Sequence, residues 1–189
     1  MDRRTHIADV TIGTIAREGM RGLTHRAVDR AAGLPEGSTS YYFRTREALL
    51  FAALARMAEL DTADIGELPD IRGPADLDLL SGLLAKIMRA WLTTGRDRTL
   101  ARYELSLEAT RRPALRAKMT EYGASFRKLT ETMLVAAGVP EPRRRAQAFD
   151  SFIDGVLFHQ IAQVGAGVLT DEDLAATCRD MVATVLGDA

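Results

Sequence analysis

The chain has 189 residues, of which 47% are hydrophobic and 27% charged, so it has the composition of a globular protein and not of a disordered one. No apolar run approaches the roughly 20 residues that cross a bilayer, the opening MDRRTHIADV has no signal-peptide core, and the single Cys178 leaves neither an internal disulfide nor a cysteine-based zinc cluster. A cytoplasmic setting without a membrane partner is therefore expected. The formal net charge of −1 hides an asymmetry: residues 1–46 carry eight arginines against five acids, whereas the rest carries 17 basic and 21 acidic side chains. A basic head on an acidic body suits a polyanion met at one end.

Taken in chain order, the pattern is helical throughout, with no alternating β-branched run. Ala8, Ile12 and Ile15 mark a first helix from Ile7 to Glu18 that stops at Gly19. Thr24 caps a short second helix reaching Ala32, with Val28 and Ala31 facing inward and Gly33 ending it. Pro35 suits the start of a third short helix running to about Tyr42. Thr45 then caps a longer helix with Glu47 in its first turn. Beyond it the elements lengthen. Leu80, Leu83, Leu84, Ile87, Met88 and Trp91 form one apolar stripe; Leu100, Tyr103 and Leu107 form another; Pro113 opens a helix through Met119, Phe126 and Met133 to Gly138. Pro142 opens the next, to about Val164, and the capping sequence LTDED precedes a last helix with Leu174, Cys178, Met181, Val182 and Val185 on one face. ELPDIRGP and GVPEP read as linkers. The expected fold is all-α with about nine helices: a three-helix head over residues 1–46 and a larger helical body over 47–189.

The Ala32-Gly33-Leu34-Pro35 junction has the make-up of a helix-turn-helix, in which a glycine able to take φ > 0 lets two helices meet at a steep angle. Read so, the third helix is a recognition helix. Short hydroxyls at Ser38, Thr39 and Ser40 suit base edges, Gly37 admits a close backbone, and Tyr41 and Tyr42 reach phosphates while Phe43 points into the core. Thr24, His25 and Arg26 open the second helix where a phosphate is favoured, and Arg44 and Arg46 flank the other side.

The run GLTHRAVDRAAGLPEGSTSYYFRTREALL resembles the DNA-binding signature of the TetR family of bacterial transcriptional regulators, and the likeness runs from about Ile7 to Leu54. The resemblance implies phosphate or base contacts at Thr24, His25, Arg26, Ser38, Thr39, Tyr41 and Arg46. Ser40 stands where the family often has an aromatic, and Tyr42 where it often has a histidine. The family also implies a dimeric repressor on a palindromic double-stranded DNA operator, released by a small-molecule effector. His6, His25 and His159 are isolated in sequence, so no metal is expected, and no cofactor is expected either.

A head this small reads too few base pairs alone, so a homodimer is expected. Phe149, Phe152, Ile153, Val156, Leu157, Ile161 and Val164 cover a wide arc of one helix, and with Met181 and Val185 of the last helix they form the expected interface; the alternative is a central helix buried within one subunit. Met88, Trp91, Tyr103, Glu104, Met119, Tyr122 and Phe126 are the candidate effector-pocket residues, although each also suits a plain core. Glu104 either selects a donor or cation on the ligand or pairs with an arginine such as Arg116. Arg143, Arg144 and Arg145 read as a solvated face with no assigned role. The residues offer no Glu-x-x-His pair, no G-x-S-x-G and no phosphate-binding glycine loop, so an all-α enzyme is disfavoured. A DNA-binding dimer that senses no ligand is the remaining rival.

Overall fold

A computed structural model describes residues 2–67, 69, 76–163 and 167–186. Among these there are nine helices and no strand: α1 (Arg3–Gly22), α2 (His25–Ala31), α3 (Ser38–Tyr42), α4 (Arg46–Ile65), α5 (Leu77–Leu92), α6 (Arg96–Ala109), α7 (Pro113–Ala136), α8 (Pro142–Ala162) and α9 (Asp171–Leu186). The all-α expectation and the helix count hold. ELPDIRGP falls largely outside the described residues. The chain divides into two compact units, the first made of Met1–Asp64 and Asp97–Tyr122, the second of Ile65–Arg96 and Gly123–Ala189.

The first unit takes in more chain than residues 1–46. Its single apolar core joins Ile7, Ile12 and Ile15 of α1, Val28 of α2 and Phe43 to Leu49, Leu50, Ala53, Leu54 and Met57 of α4, and continues into Ala101, Leu105, Ala109 and Leu115. Two threonine caps behave as the sequence implies. Ala27 N–H donates to Thr24 Oγ1 at 3.0 Å, and Ala48 N–H donates to Thr45 Oγ1 at 3.0 Å. Ala31 is exposed, and the inward small residue of α2 is Ala27.

Helix α1 runs further than the sequence suggests, but Gly19 leaves helical geometry at φ 65, ψ −177. Met20 thereby loses helical partners for its peptide groups, and side chains replace them. Its N–H donates to Glu104 Oε2 at 3.4 Å, and its carbonyl accepts from Arg46 Nη2. Helix α6 does not bury the expected Leu100, Tyr103 and Leu107 face. Thr99, Ala101, Leu105 and Ala109 are buried, and Leu107 is exposed. Small residues let α6 approach closely, and an alanine face is easily missed beside bulkier side chains.

The first unit also holds a buried ionic cluster. Asp61 of α4 is buried, with Oδ1 at 2.6 Å from Arg98 Nε and Oδ2 accepting from the Tyr122 hydroxyl; Arg98 pairs with Asp64 as well. Burial holds the Tyr122 phenol well above its usual range, so it stays a donor. This cluster links α4, α6 and α7 by direction-dependent bonds.

In the second unit α5 packs on α8 and α9, and α8 on α9. The predicted stripe of α5 is borne out at Leu84, Ile87, Met88 and Trp91, and that of α9 at Leu174, Cys178, Met181, Val182 and Val185, all buried. Thr170 caps α9 reciprocally: Asp173 N–H donates to Thr170 Oγ1 at 3.1 Å, and Thr170 N–H to Asp173 Oδ2 at 3.2 Å. Removing one partner of a buried ion pair costs about 3–5 kcal/mol. Asp61→Ala is therefore expected to lower the unfolding free energy by about 3 kcal/mol in urea. An Asp61→Leu/Arg98→Met double variant should regain most of that loss. A cost within ordinary surface-mutation scatter would show that the cluster is well solvated.

Candidate DNA-binding site

A five-residue helix has no stability of its own, because nucleation fixes several residues before propagation repays them. Helix α3 is held by one side chain of α2. Asp29 is 3% exposed and lies beneath the start of α3. Its Oδ2 accepts from Gly37 N–H at 2.8 Å, and its Oδ1 from Thr39 N–H at 2.7 Å and the Thr39 hydroxyl at 2.6 Å. Ser38 N–H goes to the Pro35 carbonyl at 3.1 Å. The first N–H groups of α3 are thus satisfied within the protein. Burial works to raise the Asp29 pKa, but the Thr39 hydroxyl and the two N–H groups outweigh it and hold the carboxyl below its ordinary value.

Gly37 takes φ 93 as the N-cap residue of α3. That left-handed turn starts the helix at Ser38, two residues later than the Glu36 start that Pro35 suggests. The other end is pinned too. His25 Nε2 donates to the Phe43 carbonyl at 2.7 Å, and Phe43 is buried. Arg4 donates to the Tyr42 carbonyl at 3.2 Å, with its guanidinium 4.6 Å from the centre of the Phe43 ring.

The expected DNA-contacting residues therefore fall into two groups. Thr39 is fully buried and spends its hydroxyl on Asp29, which corrects its assignment to a base edge. His25 is tied to Phe43 and Arg46 to Met20, so both brace the motif where a phosphate contact was expected. Thr24 acts as a cap, and Ser38 donates to the Pro35 carbonyl at 2.7 Å. Facing outward are Arg26, Gly37, Ser40, Tyr41 and Arg44. Tyr41 is 79% exposed and meets the half-buried Tyr42 edge to face, ring centres 5.1 Å apart. Sequence reading missed Asp29 and Arg4. An acid beside Val28, on the turn that faces a hydroxyl-rich helix, is the signal that marks Asp29.

Residues 75–188 match the family described as the tetracyclin repressor-like C-terminal domain. The chain belongs to the TetR family. Several solved structures of TetR-family regulators share its fold. One from Rhodococcus sp. is 22% identical, covers 98% of each chain and has a TM-score of 0.77. A member of the TetR family from Streptomyces coelicolor A3 is 30% identical over 96% of this chain and 98% of its own, at 0.70. The multidrug binding protein EbrR complexed with malachite green is 30% identical over 98% of both chains, at 0.67, and EbrR complexed with ethidium is 29% identical over 95% and 98%, at 0.68. No curated protein gave a match. The family is one of transcriptional regulators, and among the described residues no helix is long and apolar enough to cross a membrane.

The expected effector residues of this TetR-family chain occur in both units. In the first, Tyr103, Glu104, Met119 and Tyr122 are partly buried. Glu104 accepts from Met20 N–H and Tyr122 donates to Asp61, so both have work inside the unit. Arg116 does not pair with Glu104 but donates to the Ala109 and Thr110 carbonyls at 3.2 and 2.5 Å. In the second unit Met88 and Trp91 are buried, Met88 with its sulfur 3.7 Å from Cys178 Sγ, and Phe126 is partly buried.

The expected dimer residues also divide. Leu157, Ile161, Met181 and Val185 are buried in the core of their own unit, which corrects their placement at an interface. Phe149, Ile153 and Val156 are partly buried, and Val164 lies outside the described residues. The opposite side of α8 is exposed. It carries Phe152 at 42% and Phe158 at 47%, with Ser151, Gly155, His159 and Ala162 filling an arc of about 120°. The basic run gains a partial account: Arg145 donates to the Val185 carbonyl at 2.6 Å, at the end of α9, and Arg144 pairs with Glu141 at 2.7 Å.

A carboxylate with a depressed pKa stabilises the fold above its unfolded pKa, and that stabilisation is lost as pH falls through the folded pKa. The ordinary value here is 3.8. Between pH 6 and 4.5 Asp29 should hold α3 fully, and below about pH 4 the wild type should lose stability faster than Asp29→Asn. Urea midpoints at pH 6, 4 and 3 measure this. Parallel slopes for the two proteins would show that the carboxylate charge is not what holds the helix.

Proposed function

We propose that this TetR-family regulator is a homodimeric, cytoplasmic repressor that binds a palindromic DNA operator through α3 and is released by a small-molecule effector. The observation that carries the DNA reading is the outward face of α3. Ser40 and the 79% exposed Tyr41 stand on a helix anchored at both ends, flanked by Arg26 and Arg44. A phenol held on a rigid helix, with exposed arginines near it in sequence, suits a phosphate-lined groove. Tyr41 and Arg44 are assigned to the DNA backbone and Ser40 to a base edge.

The exposed arc of α8 supports dimerisation. Phe152 and Phe158 border a strip centred on Gly155, where another backbone can come close, so two copies related by a two-fold axis can bury it against each other. The EbrR complexes with ethidium and malachite green support a small-molecule effector. Within the second unit, the buried Trp91 and the partly buried Phe126 are the candidates to meet it.

Selection of DNA sites from a random pool by the purified protein tests the reading. A two-fold symmetric consensus is expected, and Tyr41→Ala should weaken binding to every selected site by about tenfold without changing the consensus. No enrichment even at low salt would sink the DNA assignment. Phe158→Asp should convert a dimer to a monomer in sedimentation and weaken operator binding with it. Trp91 is the single tryptophan of the chain, so its fluorescence reports on the effector. Quenching by malachite green that follows release of the selected DNA supports the sensing role. Unchanged fluorescence and unchanged DNA binding across a chemically varied ligand panel would favour a DNA-binding dimer without an effector.

A further inference from the structure

Beside Gly37, on the same outward face, sits an acid. Glu36 is the residue before the N-cap of α3, and its Oε1 lies 2.7 Å from Arg26 Nε, with the two side chains 83% (Arg26) and 69% (Glu36) exposed. Stability does not explain the pair, because such exposed ion pairs contribute very little. Placing a carboxylate against DNA is also unfavourable in general, since the phosphates repel it. A glutamate there needs a specific donor to meet. Base edges offer one: the amino group of cytosine donates in the major groove, and guanine in the same base pair presents two acceptors to an arginine. The ion pair holds an acceptor and a donor fork side by side, and a G·C base pair presents the complementary donor and acceptors on one edge. It leaves the two Nη groups of Arg26 for guanine while Nε is engaged by Glu36.

We propose that the Arg26–Glu36 pair reads one G·C base pair in each half-site, Glu36 accepting from the cytosine amino group and Arg26 donating to guanine. This rests on the reading that α3 faces DNA. Glu36 adds discrimination as well as attraction, because it repels edges that present only acceptors.

Site selection with the wild type, Glu36→Gln and Arg26→Ala tests the proposal, with thermal melting to confirm that each variant folds. The wild-type consensus should contain one strongly preferred G·C pair in each half-site. Glu36→Gln should lower the preference for cytosine there by about tenfold and raise that for adenine, which a glutamine amide matches. Arg26→Ala should relax the same base pair, and the other positions should be retained in both variants. If both variants select the wild-type consensus at full strength, or alter different base pairs, the pair is a surface ion pair only and the proposal is overturned. If the wild type selects no DNA at all, the operator reading fails and this inference falls with it.

Discussion

A buried carboxylate at Asp29 is the constraint on which the DNA-facing end of the molecule depends. Five residues cannot hold helical geometry alone, and the three bonds that Asp29 accepts from Gly37 and Thr39 supply the missing order. Hydrogen bonds to a charged group contribute about 1.5–3 kcal/mol each, so the clamp is large beside the few kcal/mol that decide whether a short helix forms. It also determines what α3 can do. The N–H groups at the helix start are already engaged, and the Thr39 hydroxyl is engaged with them. In the proposed DNA reading, recognition is left to the exposed side chains, chiefly Ser40 and Tyr41 of α3, with Arg26 of α2 and Glu36 of the turn.

The same logic recurs further from α3. Where Gly19 breaks α1, the freed peptide groups of Met20 are taken up by Glu104 and Arg46. At Asp61 a carboxylate meets an arginine and a phenol. In each case a polar group inside the first unit is matched by a specific partner on another helix, and such bonds fix orientation more strictly than apolar contact does. Thr39, His25, Arg46, Glu104 and Tyr122 all look like ligand-contacting residues in the sequence. They are polar or aromatic because the unit needs oriented ties.

How much was legible in the sequence follows from how one-sided each helix is. Helices α5 and α9 bury a single stripe of large side chains, and their inward residues could be read directly. Helix α6 buries Ala101 and Ala109 around Leu105, and the bulkier Leu107 on its outer side misleads a search for large apolar spacing. Helix α8 is apolar on two sides, with Leu157 and Ile161 inward and Phe152 and Phe158 outward, so its wide arc was visible but its division was not. The helix-turn-helix itself was plain from Thr24, Gly33 and Phe43. Its exposed side chains were not separable from its braces, because serine and threonine serve both ends and only the position of Asp29 tells them apart.

The first unit is assembled from two stretches of chain, Met1–Asp64 and Asp97–Tyr122, with the intervening residues belonging to the second. This discontinuity sets an order of events on the ribosome. The recognition motif emerges first, yet Leu105 and Leu115, which complete its apolar core, and Glu104, which engages Met20, arrive only after the chain has grown past the whole of α5. Until then Leu50, Leu54 and Met57 lack part of their covering. A nascent chain therefore has the Asp29, His25 and Arg4 ties that hold α3 before the apolar core beneath them is complete, and that core is filled only with the synthesis of α6 and the start of α7.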